Sequence, residues 1–341
     1  METVIVDHSQ RVRWDHYVHS TADATSWHLY DWFTVFSRHY GLDYYPIAAV
    51  DGSDIRGVLP LYRVRTLRRG TMLMSIPYAV VGGIVGDDAT VQRMLLEKAI
   101  ELSGQLGDIP IVLKQYKHKI EGNLLTDDGY HNLELPLNLG MDRIWEDLPQ
   151  GTKGLLRQSH QYDLELEYPS TDEAGYYRTL LRHQHLTGTP CPGRKWIRNL
   201  LGFGIYKLGL LRHRGTIVAA TIIKQYDGSF AFPLTCYLPP RDRGVMFACR
   251  LYWELIQKLA QEGFHTHHTG RIRSQESPDD FRIRWNGGRP VKYYYQYHGL
   301  GGRPANPSKK GRGRRMFETA WKWTPVALTQ WIGPALIKQF P

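Results

Sequence analysis

Residues 206–237, YKLGLLRHRGTIVAATIIKQYDGSFAFPLTCY, decide the fold of this chain. Short apolar runs bounded by turn residues predict three consecutive strands, at Tyr206–His213, Thr216–Gln225 and Ser229–Tyr237. Arg214 and Gly215 form the first hairpin turn. Apolar residues at helical spacing predict a helix on each side of these strands, over about 172–185 and over 244–261. A further strand begins at Phe264, so this part of the chain is predicted to be an α/β unit.

A comparable order of elements occurs upstream. Aromatic and apolar spacing between Arg11 and Tyr40 predicts two helices, and the turn at 51–54 joins the two strands of a hairpin. A helix over Ala89–Leu106 and a strand over Ile109–Leu113 follow. The repetition indicates a structural duplication and resembles two acetyltransferase-like (GNAT-like) units in tandem, each a mixed sheet flanked by helices. We predict an N-terminal domain at 1–140, a C-terminal domain at 141–305, and a basic linker with a tryptophan-rich amphipathic segment at 306–341.

The composition of the 341 residues is that of a globular protein with an excess of basic groups. Hydrophobic residues make up 42% and charged residues 22%, which excludes a disordered, collagen-like or coiled-coil chain. The formal net charge of +10 favours an anionic partner such as nucleic acid, nucleotide phosphates or an acidic lipid surface. Three widely spaced cysteines form no metal or redox motif, and no segment has the length and apolarity of a spanning helix or signal peptide. We expect a cytoplasmic location, at most peripheral to the inner membrane surface.

Two basic residues form a candidate phosphate site. Lys153 and Arg157 are four positions apart, so on a helix they share one face and can bind a phosphate or diphosphate together. A solvated basic face is the alternative.

A second candidate site lies at the end of the helix near residue 185. His183 and His185 precede Gly188, Thr189 and Pro190, a sequence that must end the helix. Backbone amides at such a turn could meet a substrate carbonyl. The alternative is an ordinary helix end with two surface histidines.

The start of the helix at 244–261 is a candidate anion site. Arg241 and Gly244 half match the loop by which acetyltransferases hold a pyrophosphate, although Met246 occupies the last small position. A basic turn that caps the helix is the alternative. Downstream, His265 and His267 would face one side of a strand and His268 the other, with no acidic or cysteine partner at a metal-binding spacing, so we predict no metal site.

The last part of the chain combines charge and tryptophan. Basic residues at 309–315 precede the segment Met316–Phe340, which contains Trp321, Trp323 and Trp331. Such a segment suits an anionic membrane surface, and a helix docked on the body of the protein is the alternative.

The ordered set of these motifs resembles the Fem-type (FemAB-like) transferases, a branch of the acetyltransferase superfamily with two such folds in tandem. In the second half the resemblance rests on Lys153, Arg157, Gly188–Pro190, Leu251–Glu254, Gly270, Arg271, Phe281, Arg282 and Trp285. In the first half and at the end it rests on Trp27–Trp32, Gly57–Leu61, Ser75–Gly83 and Trp331–Pro334, which resemble members found beside exosortase and exopolysaccharide gene clusters. The resemblance covers nearly the whole chain.

The resemblance implies amide-bond formation without a covalent enzyme intermediate or a bound cofactor. The preferred donor is aminoacyl-tRNA and the alternative is acyl-CoA, and the acceptor is an amine of a cell-envelope or other secondary biosynthetic precursor. Within this interpretation His183 or His185 takes the amine proton, while the amides of Gly188 and Thr189 or the guanidinium of Arg271 meet the oxyanion. The other proposed substrate-binding residues are Lys153, Arg157, Arg241, Gly244, Arg282 and Trp285.

One departure from the family pattern affects this interpretation. Where the family commonly has Phe-Asp-Phe-Gly-Arg-Ser, this chain has His267, His268 and Thr269 before Gly270 and Arg271, and the acidic residue is lost. The donor or the acceptor can therefore differ from that of the better-known members of the family. The alternative from another functional class is a non-catalytic protein. It would retain only the fold and bind RNA or a membrane surface.

Overall fold

The computed structural model describes residues 1–67, 69–239, 243–273, 285, 288–300 and 312–341, with backbone alone for 312–315. The strands join in one mixed sheet, with helices on both of its faces. The strands are β1 Glu2–Ile5, β2 Asp43–Asp51, β3 Asp54–Thr66, β4 Gly70–Ser75, β5 Val85–Gly86, β6 Ile111–Tyr116, β7 Leu125–Pro136, β8 Leu164–Ser170, β9 Tyr206–His213, β10 Thr216–Tyr226, β11 Ser229–Tyr237, β12 Thr266–His268, β13 Ile272–Arg273 and β14 Arg289–His298. The helices are α1 Arg11–Ser20, α2 Asp31–Tyr40, α3 Ala89–Gln105, α4 Met141–Asp147, α5 Gln150–Ser159, α6 Glu173–Thr187, α7 Arg194–Gly202, α8 Arg243–Gln261, α9 Arg312–Trp323 and α10 Val326–Ile337.

Local sequence signals set the ends of these elements. The Asp88 side chain accepts hydrogen bonds from the backbone N–H groups of Thr90 and Val91, which caps α3 at its start. Gly41 takes the left-handed conformation that ends α2. The predicted α/β class is confirmed, and the strands predicted between 206 and 237 occur with the same starting residues.

The two halves of the chain share strands in the middle of the sheet. The strand order is β1-β2-β3-β4-β6-β14-β7-β12-β11-β10-β9-β8. Strand β14, which comes late in the chain, lies between β6 and β7, where Tyr293 pairs with Tyr116 on one side and Tyr130 on the other. Strand β7 in turn pairs with β12 of the second half. The sheet is therefore continuous across the predicted boundary at residue 140.

The buried core also links the halves, but on one face of the sheet only. On that face one apolar cluster includes side chains from α1, α2, α6 and α7. Phe36 of α2 stacks on Trp196 of α7 with 5.7 Å between ring centroids, and Trp32 stacks on Phe203 at 4.6 Å. On the other face α3 covers the first half and α8 covers the second, in two separate clusters. Packing of α2 on α7 thus fixes the relative placement of the halves.

Candidate functional site at the seam between the halves

The chain itself fills the gap between the parallel strands of the first half. Strands β4 and β6 pair only at Leu73 with Ile111 and at Met74 with Val112. Beyond that point the segment 76–83 inserts, and the Gly82 N–H donates to the carbonyl oxygen of Lys114 at 3.0 Å. The Lys114 Nζ donates to the carbonyl oxygens of Ile76 and Ala79, at 3.1 and 3.0 Å. Burial, with Arg271 nearby, lowers the pKa of Lys114 to about 7.

The corresponding strands of the second half diverge. Strands β11 and β12 pair over Ser229–Ala231 and Thr266–His268 only. Beyond His268 the chain turns toward β7, where the Thr269 N–H donates to the Leu133 carbonyl at 3.0 Å. We call the gap between residues 232–237 and residues 269–271 the crevice. In open α/β sheets ligands bind where strands separate at their carboxyl ends, so the crevice is the better candidate site of the two.

A buried amide holds the histidine at the base of the crevice. The Asn132 side chain is fully buried, and its Oδ1 accepts a hydrogen bond from the Gly270 N–H at 3.0 Å. This contact orients the amide, so its Nδ2 donates to the Nδ1 of His268 at 2.8 Å and to the hydroxyl of Tyr116 at 3.2 Å. Because Nδ1 accepts, the neutral imidazole carries its proton on Nε2. Within the described chain Nε2 has no protein partner.

Burial and nearby basic groups keep His268 neutral. Burial, reinforced by the positive charges of Lys224 and Lys117, lowers the pKa of His268 to about 4. Glu134 accepts a hydrogen bond from the Tyr116 hydroxyl and lies 3.7 Å from the Nδ1 of His268. At physiological pH His268 is therefore a neutral hydrogen-bond donor.

Lys224 and His268 lie on the same face of the sheet, with β11 between their two strands. Lys224 pairs with Ala231 of β11, which pairs with His268 of β12, so three neighbouring strands place these residues in one row. Its Nζ lies 5.2 Å from the ring centroid of Trp27, a residue of the first half. Burial lowers the pKa of Lys224 to about 8. An appreciable fraction of this amine is therefore neutral near physiological pH.

Arg271, one of the predicted catalytic residues, lies close to the crevice. Its guanidinium lies 5.1 Å from the Tyr130 ring centroid and 5.7 Å from that of Tyr295. Its Nη1 donates to the Tyr295 hydroxyl at 3.1 Å, which in turn donates to the Val80 carbonyl at 3.0 Å. Arg271 thus links the crevice to the inserted segment of the first half. We call the group Tyr116, Asn132, Glu134, Lys224, His268 and Arg271 the seam.

Two more of the predicted residues meet at the far end of β11. The Nδ1 of His183 lies 2.9 Å from the carbonyl oxygen of Tyr237, and burial lowers the pKa of this histidine. Gly244 lies at the start of α8, where a Cβ atom would be 2.9 Å from the Tyr237 ring. Tyr237 is six residues beyond Ala231, a distance of about 20 Å along an extended strand. His183 and Gly244 therefore border the crevice at the end opposite His268.

The predicted phosphate pair does not present two charges together. The Lys153 side chain is buried, and its Nζ donates to the Glu146 carbonyl at the end of α4, at 2.9 Å. The Arg157 side chain is exposed and lies 6.0 Å from the ring centroid of Trp145. Both residues lie on α5, which packs against α8. Lys153 caps a helix in this structure, because a buried ammonium must bind an acceptor.

The remaining predicted residues lie elsewhere. The N–H groups of Gly188 and Thr189 donate to the carbonyls of His185 and Gln184 in the cap of α6, so they are already bound. Trp285 is fully buried with its ring 5.7 Å from that of Tyr252. Arg241 and Arg282 lie outside the described residues.

The sequence does not predict most of the seam residues. Asn132 and Glu134 lie on β7, whose polar residues gave no strand signal. Lys224 did carry a signal, since it follows the apolar run Ile217–Ile223 and a lysine there is unusual in a central strand. His268 was predicted to face away from His265 and His267. In the structure the His267 ring lies 4.9 Å from that of Phe230 in the second-half core, while His268 contacts Asn132.

Comparisons with known proteins identify the fold. No family model and no curated protein matches the sequence. The crystal structure of FemX matches with a TM-score of 0.64 at 10% identity, over 87% of this chain and 97% of that one. The C-terminal domain of a putative lysylphosphatidylglycerol synthetase from Agrobacterium fabrum matches with a TM-score of 0.57 at 11% identity, over 84% and 91%. A tandem GNAT protein from the clavulanic acid biosynthesis pathway matches with a TM-score of 0.54 at 11% identity, over 88% and 99%. The chain therefore has the Fem/GNAT-like fold that its sequence predicted.

Proposed function

We propose that this protein transfers an activated acyl or aminoacyl group to an amine, with the reacting carbonyl held at the seam. The observation that carries the proposal is the neutral imidazole of His268 at the base of the crevice, on the same face of the sheet as Lys224, which lies two strands away on β10. The names of two similar structures, FemX and a putative lysylphosphatidylglycerol synthetase, support a transferase of the aminoacyl type. Fold alone does not decide function, so the seam residues must support the chemistry.

The reaction needs a proton acceptor and a donor to the oxyanion. The acceptor nitrogen forms a bond to the carbonyl carbon, and the carbonyl oxygen becomes an oxyanion that receives a hydrogen bond from the Nε2–H of His268. The nitrogen then loses a proton to the neutral amine of Lys224, which suits this role because its pKa lies near the working pH. The bond from carbon to the leaving oxygen or sulfur breaks, and the leaving group takes a proton from the lysine ammonium. The products are an amide and a free hydroxyl or thiol.

Other residues serve these two groups. Asn132 keeps the His268 proton on Nε2 and is a positioning residue. Arg271 is held by Tyr130 and Tyr295 and adds positive charge close to the crevice. His183, His185 and the Gly188–Thr189 turn, which the resemblance suggested for proton transfer and oxyanion binding, are replaced in this proposal by seam residues.

Aminoacyl-tRNA is the donor that we prefer, because the net charge of +10 and the Fem-type resemblance both favour an RNA carrier. The acceptor that the resemblance favours is an amine of a cell-envelope or related precursor. Acyl-CoA is a second candidate, favoured by one observation. Gly244 lets the first turn of α8 approach Tyr237 closely, at the end of the crevice about 20 Å from His268, and a helix start is a natural anion site.

The test is a transfer assay with the purified protein. One reaction contains tRNA charged with a mixture of labelled amino acids, another contains a panel of acyl-CoAs, and both contain a mixture of amine-bearing envelope precursors. We expect label to reach the amine fraction from charged tRNA, and ribonuclease to abolish the transfer. Transfer from a thioester that ribonuclease leaves intact would replace the preferred donor. Absence of transfer from every donor, with RNA binding retained, would support the non-catalytic alternative.

A further inference from the structure

The last helix of the chain packs with its apolar side outward. Helix α10 has no charged residue, and its buried positions are small, at Thr329 and Gly333. A Cβ atom at Gly333 would lie 2.7 Å from the carbonyl oxygen of Cys191, so only glycine permits this close approach. The large side chains of Trp331 and Leu328 are 77% and 51% exposed. A helix that only covers a core shows the opposite pattern, with its apolar face inward.

Exposed apolar side chains continue beyond α10. Trp323 comes before α10 and is 84% exposed, and Phe340 comes after it and is 67% exposed. Together they form what we call the C-terminal apolar surface, made of Met316, Phe317, Trp323, Val326, Leu328, Trp331, Ile332 and Phe340. Leu328, Trp331 and Ile332 have i, i+3 and i+4 spacing, so they share one exposed face of α10, and a contiguous exposed apolar face marks an interaction surface.

The body of the protein holds this surface in place. Trp321 of α9 is buried, and both α9 and α10 pack against α6. The Leu67 N–H donates to the Oε1 of Gln339 at 2.9 Å, and the Tyr78 hydroxyl donates to the Lys338 carbonyl at 3.3 Å. The segment therefore contacts both halves of the chain. Its outward apolar side is a property of the folded protein and not of a loose tail.

Charge indicates the kind of partner. Residues 309–341 contain seven lysines and arginines and a single acidic residue, Glu318. Lys322 is exposed on α9, and Lys338 is exposed directly after the end of α10. A second copy of this chain would bring two cationic segments together, which like-charge repulsion disfavours. An anionic surface is complementary to this charge.

We propose that the C-terminal apolar surface docks the protein on an anionic phospholipid bilayer. The 12 residues of α10 span about 18 Å, which is shorter than the hydrocarbon layer of about 30 Å. No helix in the described part of the chain is long and apolar enough to cross a membrane. The helix therefore lies in the interface, where tryptophan side chains such as Trp323 and Trp331 are favoured and basic residues contact lipid phosphates.

Vesicle sedimentation with the full chain tests this proposal. We expect binding to vesicles of phosphatidylcholine with phosphatidylglycerol, little binding to phosphatidylcholine alone, and weaker binding at high salt. The substitutions Leu328→Ser and Trp331→Ser should lower the affinity about tenfold or more. Val12→Ser, at a residue that is 78% exposed on α1, is the matched control and should bind as the wild type does. Circular dichroism should be unchanged, because all three side chains are exposed.

Three results would overturn the proposal. The first is equal binding to neutral and anionic vesicles, or binding to neither. The second is wild-type binding by the variant that combines Leu328→Ser with Trp331→Ser. The third is a dimer in sedimentation equilibrium that Trp331→Ser dissociates, since the occupant would then be a second copy. Vesicle binding needs no acyl donor, so its outcome is independent of the proposed transferase activity.

Discussion

Replacing Lys224 with methionine should make the protein more stable at neutral pH and less active. Methionine has a similar length and no charge, so it removes the ammonium without opening a cavity. Two quantities follow from the structure, namely the free energy of unfolding as a function of pH and the rate of acyl transfer. Replacing a lysine with a purely structural role should not raise the stability and lower the transfer rate at the same time.

The size of the stability effect follows from the pKa. Lowering the pKa of Lys224 from 10.5 to about 8 corresponds to a cost of about 3 kcal/mol for the folded, protonated state. Partial exposure of the side chain reduces this, and the contact with the Trp27 ring offsets about 0.5–1 kcal/mol. We therefore expect Lys224→Met to raise the free energy of unfolding at pH 7 by about 1–2 kcal/mol.

Lys224 should make the stability of the wild-type protein depend on pH. Below the folded pKa of about 8 both states are protonated and the full cost is present. Between pH 8 and the unfolded pKa of 10.5 the folded state loses its proton first, so the wild-type protein gains stability as the pH rises. The advantage of Lys224→Met should therefore shrink over this range.

Urea denaturation at several pH values measures the stability, and the transfer assay measures the rate. Lys258→Met, at a residue on α8 with its ammonium 3.7 Å from Glu262, is the control and should change neither quantity much. The rate with Lys224→Met should fall by about two to four powers of ten, the range for loss of a general base. A variant that is less stable than the wild type at pH 7 would refute the desolvation argument, and a wild-type rate would refute the role as a base.

Further substitutions test the positioning of His268 and the packing at α8. Asn132→Leu should lower kcat about tenfold or more with little change in the donor KM, because His268 loses the donor that fixes its tautomer; an equal rise in KM would instead indicate lost binding. Gly244→Ala should lower the free energy of unfolding by about 1–3 kcal/mol, since its Cβ would lie 1.5 Å from the Pro239 carbonyl oxygen. Gly154→Ala, within α5 and with open space around it, should stabilise by about 0.5–1 kcal/mol, and equal effects of the two changes in urea denaturation would contradict the packing argument.

The sequence predicts the local elements well because their signals are local. The turn at 51–54 and the apolar run Ile217–Ile223 define strands without any knowledge of their neighbours. Apolar periodicity likewise defines α3 and α8. An element without such a signal is β7, whose sequence LTDDGYHNLELP mixes polar and apolar residues and includes the seam residues Asn132 and Glu134.

The site is less predictable because it depends on contacts between distant residues. Asn132 meets Gly270 and His268 only because β7 pairs with β12 from the second half of the chain, a pairing that no local pattern specifies. Lys153 and Arg157 have the spacing of a phosphate pair, yet the end of α4 binds the lysine. Spacing gives a shared helix face, but what that face contacts is set by tertiary packing.

The most direct test of the central claim is the transfer of labelled amino acid from charged tRNA to amine acceptors by the wild-type protein and by His268→Ala. His265→Ala is the matched control, since this exposed histidine lies next to the same strand. Loss of one oxyanion donor should lower the rate of His268→Ala by about two to three powers of ten, while His265→Ala keeps the wild-type rate. Equal rates for all three proteins would contradict the placement of the reacting carbonyl at the seam.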